Sequence, residues 1–504
     1  MKAFANFPLI LSASASLALI PSAMGAQPAL NNSLSVQDTA IQPESIVSGY
    51  PVSPTYTLLR YDEDYSFLAN PANRTEALDL IKYIPLFDWG QFYFVSLGGD
   101  IREQYEFIEN DNFGLGSVNN HGYWLQRIML HNDWHFGPFF RAFVQLKTSE
   151  EEGRQPGPRP IDRKRLDFSQ AFVDFSYPRT NLSADTSWLK LRLGRQEIDF
   201  GDERLLAVRE GPNSEQSFDG ARLTLNSPQG RVDLFALRVD ADRSGYFDND
   251  PGWSNETVWG LYSTFPLTTK STAAAFNNIS LDLFYIGFQH SDARFNEGIG
   301  DEVRHSVGGR LWRAHHINGL DFNLFGVYQF GSFAGRQISA FSAAIDAGYK
   351  LFNLPWAPRI ASSLQISSGG GNGRLETFNA MFPAGYYYGG SLVGQIGPAN
   401  AIIVQPELDL HPTATLGVYL KTLFVWREDT ADGLYNTPGG VIVPGSSNNR
   451  RYVGASPELL VTQQIGRHLS ISLSYYHFSR GGFLTSQGGT KDVDYFSTWM
   501  SYTF

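Results

Sequence analysis

The sequence of 504 residues contains no cysteine and only five methionines. The missing thiols exclude disulfides and thiolate metal sites, so the fold must be held by its sheets or its core alone. Beyond the first two dozen residues, no apolar run reaches the roughly 20 residues that a helix needs to cross a bilayer. Basic residues are in deficit: 39 Lys and Arg stand against 50 Asp and Glu, a formal charge of -11. A phosphate-binding surface should be basic, so nucleic acid is not expected as a partner. Catalytic signatures are missing too, with no G-x-S-x-G elbow, H-E-x-x-H pair or G-x-x-x-x-G-K loop. The glycine clusters within 369–373 and at Gly389-Gly390 lack dinucleotide spacing, and no cofactor is implied.

Aromatics, by contrast, are abundant: 37 Phe, 24 Tyr and 10 Trp. They coexist with a mean hydropathy of -0.23, as expected when only alternate residues face lipid.

At the N-terminus, Lys2 supplies a positive charge, residues 7–20 an apolar stretch, and Ala23-Met24-Gly25-Ala26 a small-residue cleavage site. That order predicts a secretory signal peptide over 1–26 and a mature chain starting around Gln27. Residues 27–90 then read as a periplasmic leader, rich in Ser, Pro, Asn and Gln up to residue 55. Within it, 74–84 has helical spacing, with Asn73 available as a cap and Pro85 as a stop, so one short helix is expected at most.

From Tyr93 onward the period changes to two, and 91–504 reads as one domain. Phe140 to Lys147 places Arg141, Gln145 and Lys147 opposite Ala142, Val144 and Leu146; Trp188 to Leu193 places Lys190 and Arg192 opposite three leucines. Strict alternation means strand. About eighteen such segments follow one another, from 93–107 to 493–504, in the even-numbered range of bacterial barrels. Tight links such as Gly137-Pro138 and Gly466-Arg467 contrast with long polar ones at 150–165, 200–216, 242–254, 369–397 and 428–449. The expected fold is an all-β transmembrane antiparallel barrel, with short periplasmic turns and long extracellular loops, in outer-membrane lipid. Phe496, Met500, Tyr502 and Phe504 share one parity at the C-terminus, the kind of ending that outer-membrane assembly machinery reads.

Arg102, Arg127, Arg141, Lys147, Lys190, Arg192, Arg222, Arg238, Arg304 and Arg310 fall on the polar parity of their strands. Arg195 lies in the Gly194-Arg195-Gln196 strand, and Arg204 and Arg209 follow in a loop placed to fold into the lumen. A lipid-facing Arg costs about 2–4 kcal/mol at the bilayer midplane, so these side chains are expected to point inward. They would form a cationic substrate pathway, as rings of Arg and Lys do in anion pores. The competing reading is a neutralised lattice, because Asp100, Asp174, Asp240 and Glu458 share that parity. Asp240, Asp242 and Asp248 echo the first half of a calcium loop, but Pro251 stands where the bidentate Glu belongs, which leaves a weak calcium candidate. Loop 369–397 is a candidate plug.

Several motifs resemble the alginate-export family. They are Arg60-Tyr61-Asp62-Glu63-Asp64-Tyr65-Ser66-Phe67-Leu68, Ile81-Lys82-Tyr83-Ile84-Pro85-Leu86 and Ser96 to Glu103 near the start. Further along stand Leu193 to Gln196, Ser217-Phe218-Asp219-Gly220-Ala221-Arg222, Arg304 to Leu311 and Phe378-Asn379-Ala380-Met381-Phe382-Pro383. The resemblance implies a monomeric eighteen-stranded barrel passing an anionic polyuronate through an arginine-lined lumen. Uptake of small organic acids or aromatic solutes is the alternative within transport. An outer-membrane enzyme, needing a pair such as His468 and Ser470 at one rim, is the alternative outside it.

Overall fold

The computed structural model describes residues 56–115, 120–178, 187–241, 243–249, 255–267, 278–314, 319–371, 373–385, 395–445, 448–488 and 490–504. The expected signal peptide and the leader up to residue 55 lie outside them. Eighteen long strands follow the expected segments in order. They are β1 (Tyr93–Glu109), β2 (Asn120–Phe136), β3 (Phe140–Glu152), β4 (Lys164–Pro178), β5 (Ser187–Gln196) and β6 (Phe218–Ser227). Next come β7 (Gly230–Val239), β8 (Glu256–Pro266), β9 (Ile279–Phe295), β10 (Gly298–Arg313), β11 (Gly319–Phe333) and β12 (Arg336–Lys350). The last are β13 (Arg359–Ser367), β14 (Ala401–Thr413), β15 (Leu416–Arg427), β16 (Tyr452–Ile465), β17 (Leu469–Arg480) and β18 (Val493–Thr503).

Each strand pairs antiparallel with the next, and β18 pairs back with β1 from Asp100↔Thr503 to Glu109↔Asp494. The barrel is therefore closed. Closure satisfies every ladder group internally, which is what allows a sheet to cross lipid. The alternation sets the two faces. On β2, His121, Tyr123, Leu125, Arg127, Met129, His131, Asp133 and His135 are buried, whereas Trp124, Leu130, Trp134 and Phe136 are exposed. No described helix is long and apolar enough to cross a membrane.

Connections 137–139, 228–229, 414–415 and 466–468 are short and share one rim. The opposite, extracellular rim carries the long links 153–163, 197–217, 368–400 and 428–451. The alternation of lengths is not uniform. Asn296-Glu297 and Ala334-Gly335 are two-residue turns on the extracellular rim, the latter with both residues at positive φ (49 and 78), the backbone a tight hairpin needs.

Among its described residues the N-terminal segment carries one four-residue α-helix, Asp79–Lys82, shorter than the 74–84 stretch that has helical spacing. Asn73 does not cap it: its side-chain amide donates to the Phe67 carbonyl, and Asp79 instead accepts from the Thr75 and Glu76 backbone N–H groups. The segment fastens to the barrel seam. Arg60 donates to the Gly99 and Phe504 carbonyls at 3.0 and 2.9 Å while pairing with Glu63 at 2.8 Å. Glu76 accepts from Arg467 and bonds His468 at the same rim.

Candidate functional site

Loop 197–217 folds into the barrel instead of standing on its rim. Ile198, Phe200, Leu205 and Leu206 are buried in an apolar cluster with the inward side chains Phe218, Phe235, Val258, Phe284 and Phe288. Loop 368–400 joins it in part: Phe378, Met381 and Phe382 enter the same cluster, and 386–394 lie outside the described residues. The two loops pair by backbone, with Ala207 N–H to the Phe382 carbonyl and Phe382 N–H to the Leu205 carbonyl, each at 3.0 Å.

From the periplasmic end the N-terminal segment rises to meet them. Tyr61 is buried edge-on against Phe143 and Phe172, with the Arg192 guanidinium 3.8 Å from its ring centre, and its hydroxyl donates to the Glu197 carbonyl at 2.9 Å. Three separate stretches of chain thus obstruct one lumen.

The predicted cations are largely ion-paired. Arg102 approaches Glu210 at 3.6 Å; Arg127 meets Glu215 at 2.7 Å, Glu210 at 3.3 Å and Asp100 at 3.4 Å. Arg141 pairs with Asp133, Arg192 with Asp174, Arg222 with Asp233, Arg304 with Glu302 and Arg310 with Asp282. Arg204 bridges Asp202 and Asp346 from the inward loop, Lys147 donates to the Glu215 carbonyl, and Glu458 pairs with Lys421. Arg209 is half-buried in the same loop. A cross-linked lattice, not a bare cationic ring, is what the inward parity builds.

Two residues depart from their expected face. Arg195 shares the parity of Leu191 and Leu193, opposite that of Arg192, and pairs across the strand with Asp219 at 2.9 Å. Arg238 is exposed on the parity of Leu234 and Ala236, opposite the buried Asp233 and Phe235. Both stand near the extracellular ends of their strands, away from the midplane; Arg238 reaches water there, whereas Arg195 is neutralised by Asp167, Asp219 and Asp240. Asp240 is engaged by Arg195 at 3.1 Å and by the Asn249 side chain at 2.9 Å; Asp248 accepts from Lys164. Asp242 lies outside the described residues, and among those described no group of three or more His, Cys, Asp or Glu could hold a metal ion. His468 turns its ring to Tyr56, Glu76 and the Thr503 carbonyl, a fastening role.

A cavity lies inside this lattice, about 760 Å³ with the open solvent at its mouth counted in, in the periplasmic part of the lumen between β5 and β10. Lys190, Arg192, Arg222, Arg231 and Arg310 line it with Asp62, Asp199, Asp233 and Asp282, and Tyr61, Phe200, Tyr262 and Trp312 supply apolar wall. The sequence reading missed Tyr61, Asp62 and Asp199 here. Burial pushes the Asp199 carboxyl up to about 8, with Asp62 and Asp202 adding repulsion. At neutral pH the cavity therefore holds less negative charge than its composition suggests.

Lys82 is the other displaced titration. Its ammonium is buried beneath Tyr56 and Tyr65 with no hydrogen-bond partner, and burial, reinforced by Arg60, lowers it to about 7. A released segment would take up that proton near the ordinary lysine value, so between about 7 and 10.5 the released form binds more protons and seating strengthens as pH rises. Proteolysis of the N-terminal segment should therefore be faster at pH 6.5 than at pH 9 relative to Lys82→Met, in which the neutral side chain removes the dependence. Equal wild-type to variant ratios at both pH values would contradict it.

Comparison with known proteins places this architecture. The family model described as alginate export matches residues 93–497. No curated protein matches the chain. Among solved structures, a BenF-like porin from Pseudomonas fluorescens Pf-5 superposes with a TM-score of 0.56 at 11% identity, covering 81% of this chain and 98% of that one. OpdQ of Pseudomonas aeruginosa gives 0.55 at 11% identity, covering 81% and 97%, and OpdO of the same organism 0.53 at 12%, also covering 81% and 97%. The likeness is one of fold. The family match opens at Tyr93, so the N-terminal segment that enters the lumen precedes it.

Proposed function

The chain belongs to the alginate-export family, an outer-membrane channel by fold, and from that premise we propose that it passes carboxylate-bearing solutes by diffusion through a site in the periplasmic part of its lumen. One observation carries the reading: cations outnumber carboxylates on the cavity wall, five against four, and Arg192 keeps one guanidinium nitrogen, Nη1, without an acceptor. Asp199, raised toward neutrality, tips the balance further toward anions.

The aromatic wall of Tyr61, Phe200, Tyr262 and Trp312 supports a second reading, small organic acids with an apolar body. Current block in planar bilayers separates the two. An oligouronate that interrupts the current from the periplasmic side, where the cavity lies, supports the polymer reading. Block by small aromatic carboxylates alone supports the second. Block by neither removes the cavity from the pathway.

A further inference from the structure

Strand β18 ends at Thr503, opposite Asp100, whereas β1 continues below that point to Tyr93. The edge left over is taken up by Ile84–Pro85, which pairs antiparallel with Val95 and Phe94. The chain then turns through residues 86–92, with Leu86 N–H to the Tyr93 carbonyl at 2.8 Å and Tyr93 N–H to the Gly90 carbonyl at 3.1 Å. This hairpin prolongs the barrel wall past its own seam, on the periplasmic rim.

Its side chains are unlike those of a water-exposed turn. Phe87 and Trp89 are 67% and 63% exposed and stack on each other at 4.5 Å, and Trp89 lies edge-on to Tyr93 at 5.6 Å. Phe87 holds φ at 60, a left-handed backbone that bulky residues rarely adopt. Asp88 and Gln91 are exposed between and beside the rings. Along the same rim the outer face shows Phe136, Phe139, Phe175, Tyr177 and Trp188. Such a row is the interfacial aromatic girdle of a membrane barrel.

We propose that the hairpin 84–93 is a membrane anchor: its Phe87–Trp89 pair continues the girdle into the headgroup layer of the periplasmic leaflet. The mixture of rings with Asp88 and Gln91 fits headgroup depth and not the acyl core, because the carboxylate and amide keep their water there. The anchor also tethers the point at which the lumen-filling N-terminal segment leaves the barrel.

The cysteine-free sequence makes the test direct. Asp88→Cys keeps both rings and accepts an environment-sensitive dye; Asn70→Cys, exposed on the same segment, is the control. In phosphatidylethanolamine–phosphatidylglycerol vesicles, lipids brominated near the headgroup should quench the Asp88→Cys dye by more than half, and aqueous iodide should quench it weakly. The control should show the reverse. Adding Phe87→Ser and Trp89→Ser to Asp88→Cys should abolish the lipid quenching while heat-modifiable migration shows the barrel still folded. Strong iodide quenching of the Asp88→Cys dye without a bromolipid effect would overturn the proposal and mark the hairpin as facing the periplasm.

Discussion

Replacing residues 203–213 by a short glycine-serine bridge should raise single-channel conductance several-fold. This stretch carries Leu205, Leu206 and Ala207, which pair with the Phe382 region and fill the middle of the lumen. It also carries Arg204, which reaches across to Asp346 and Gln365 on the barrel wall. Removing it takes out the central obstruction but no strand, and β5 and β6 keep their ladder from Leu189↔Leu225 to Gln196↔Phe218. Arg127 retains Glu215 and Asp100, so that guanidinium is not stranded. Deleting 373–385 should raise conductance less, because the 203–213 stretch would still cross the lumen. Planar-bilayer recording reads both. An unchanged conductance in the 203–213 variant would show that the ions travel elsewhere.

At pH 9, where Asp199 is ionised, Arg222→Glu should turn an anion-preferring channel into a cation-preferring one. The cavity lining now counts five cations against four carboxylates; the substitution makes it four against five. Arg222 is well placed to act, since its partner Asp233 remains held by Arg231 at 2.7 Å and does not become an isolated buried charge. Arg222→Gln, leaving four against four, should be close to non-selective. Raising the pH should push the wild type in the same direction as these variants. Ionising Asp199 through about 8 adds a negative charge to the wall. Selectivity that stays fixed across all three proteins would show that the cavity is not on the conduction path.

The barrel was legible in the sequence because each strand states its inside and outside residue by residue. Lys190 and Arg192 against Leu189, Leu191 and Leu193 is enough to orient β5. The closing strand was legible for the same reason, through Phe496, Met500, Tyr502 and Phe504. Parity fails where a strand nears its rim. Arg238 is outward because water is within reach there and Arg195 because three aspartates gather around it, and a count of polar positions cannot see depth.

The contents of the lumen were harder to read, since a loop that folds inward follows no period. Arg204 was read from loop length alone, and it reaches Asp202 and Asp346 from the inward loop. Tyr61 was overlooked, yet a signal existed. The motif from Arg60 to Leu68 carries three aromatics and three acids in a leader otherwise rich in Ser, Pro and Asn, and its Arg60, Tyr61 and Glu63 prove to be buried contacts. The Phe378 to Pro383 motif is similar: Asn379 bonds Gln329 and Glu302, Phe382 meets Phe218, and each of these partners lies on or beside an inward face. What the sequence could not weigh was pairing. Almost every arginine was visible, but the carboxylates that neutralise them come from other strands and from loop 197–217.

The central claim is that this neutralised lumen still favours anions through one cavity. The reversal potential of a wild-type channel under a potassium chloride gradient at pH 7 tests it most directly. The expected sign is that of chloride preference, weakened in Arg222→Gln and lost in Arg222→Glu, because Asp199 is largely protonated at that pH. A reversal potential showing potassium preference in the wild type would contradict the account.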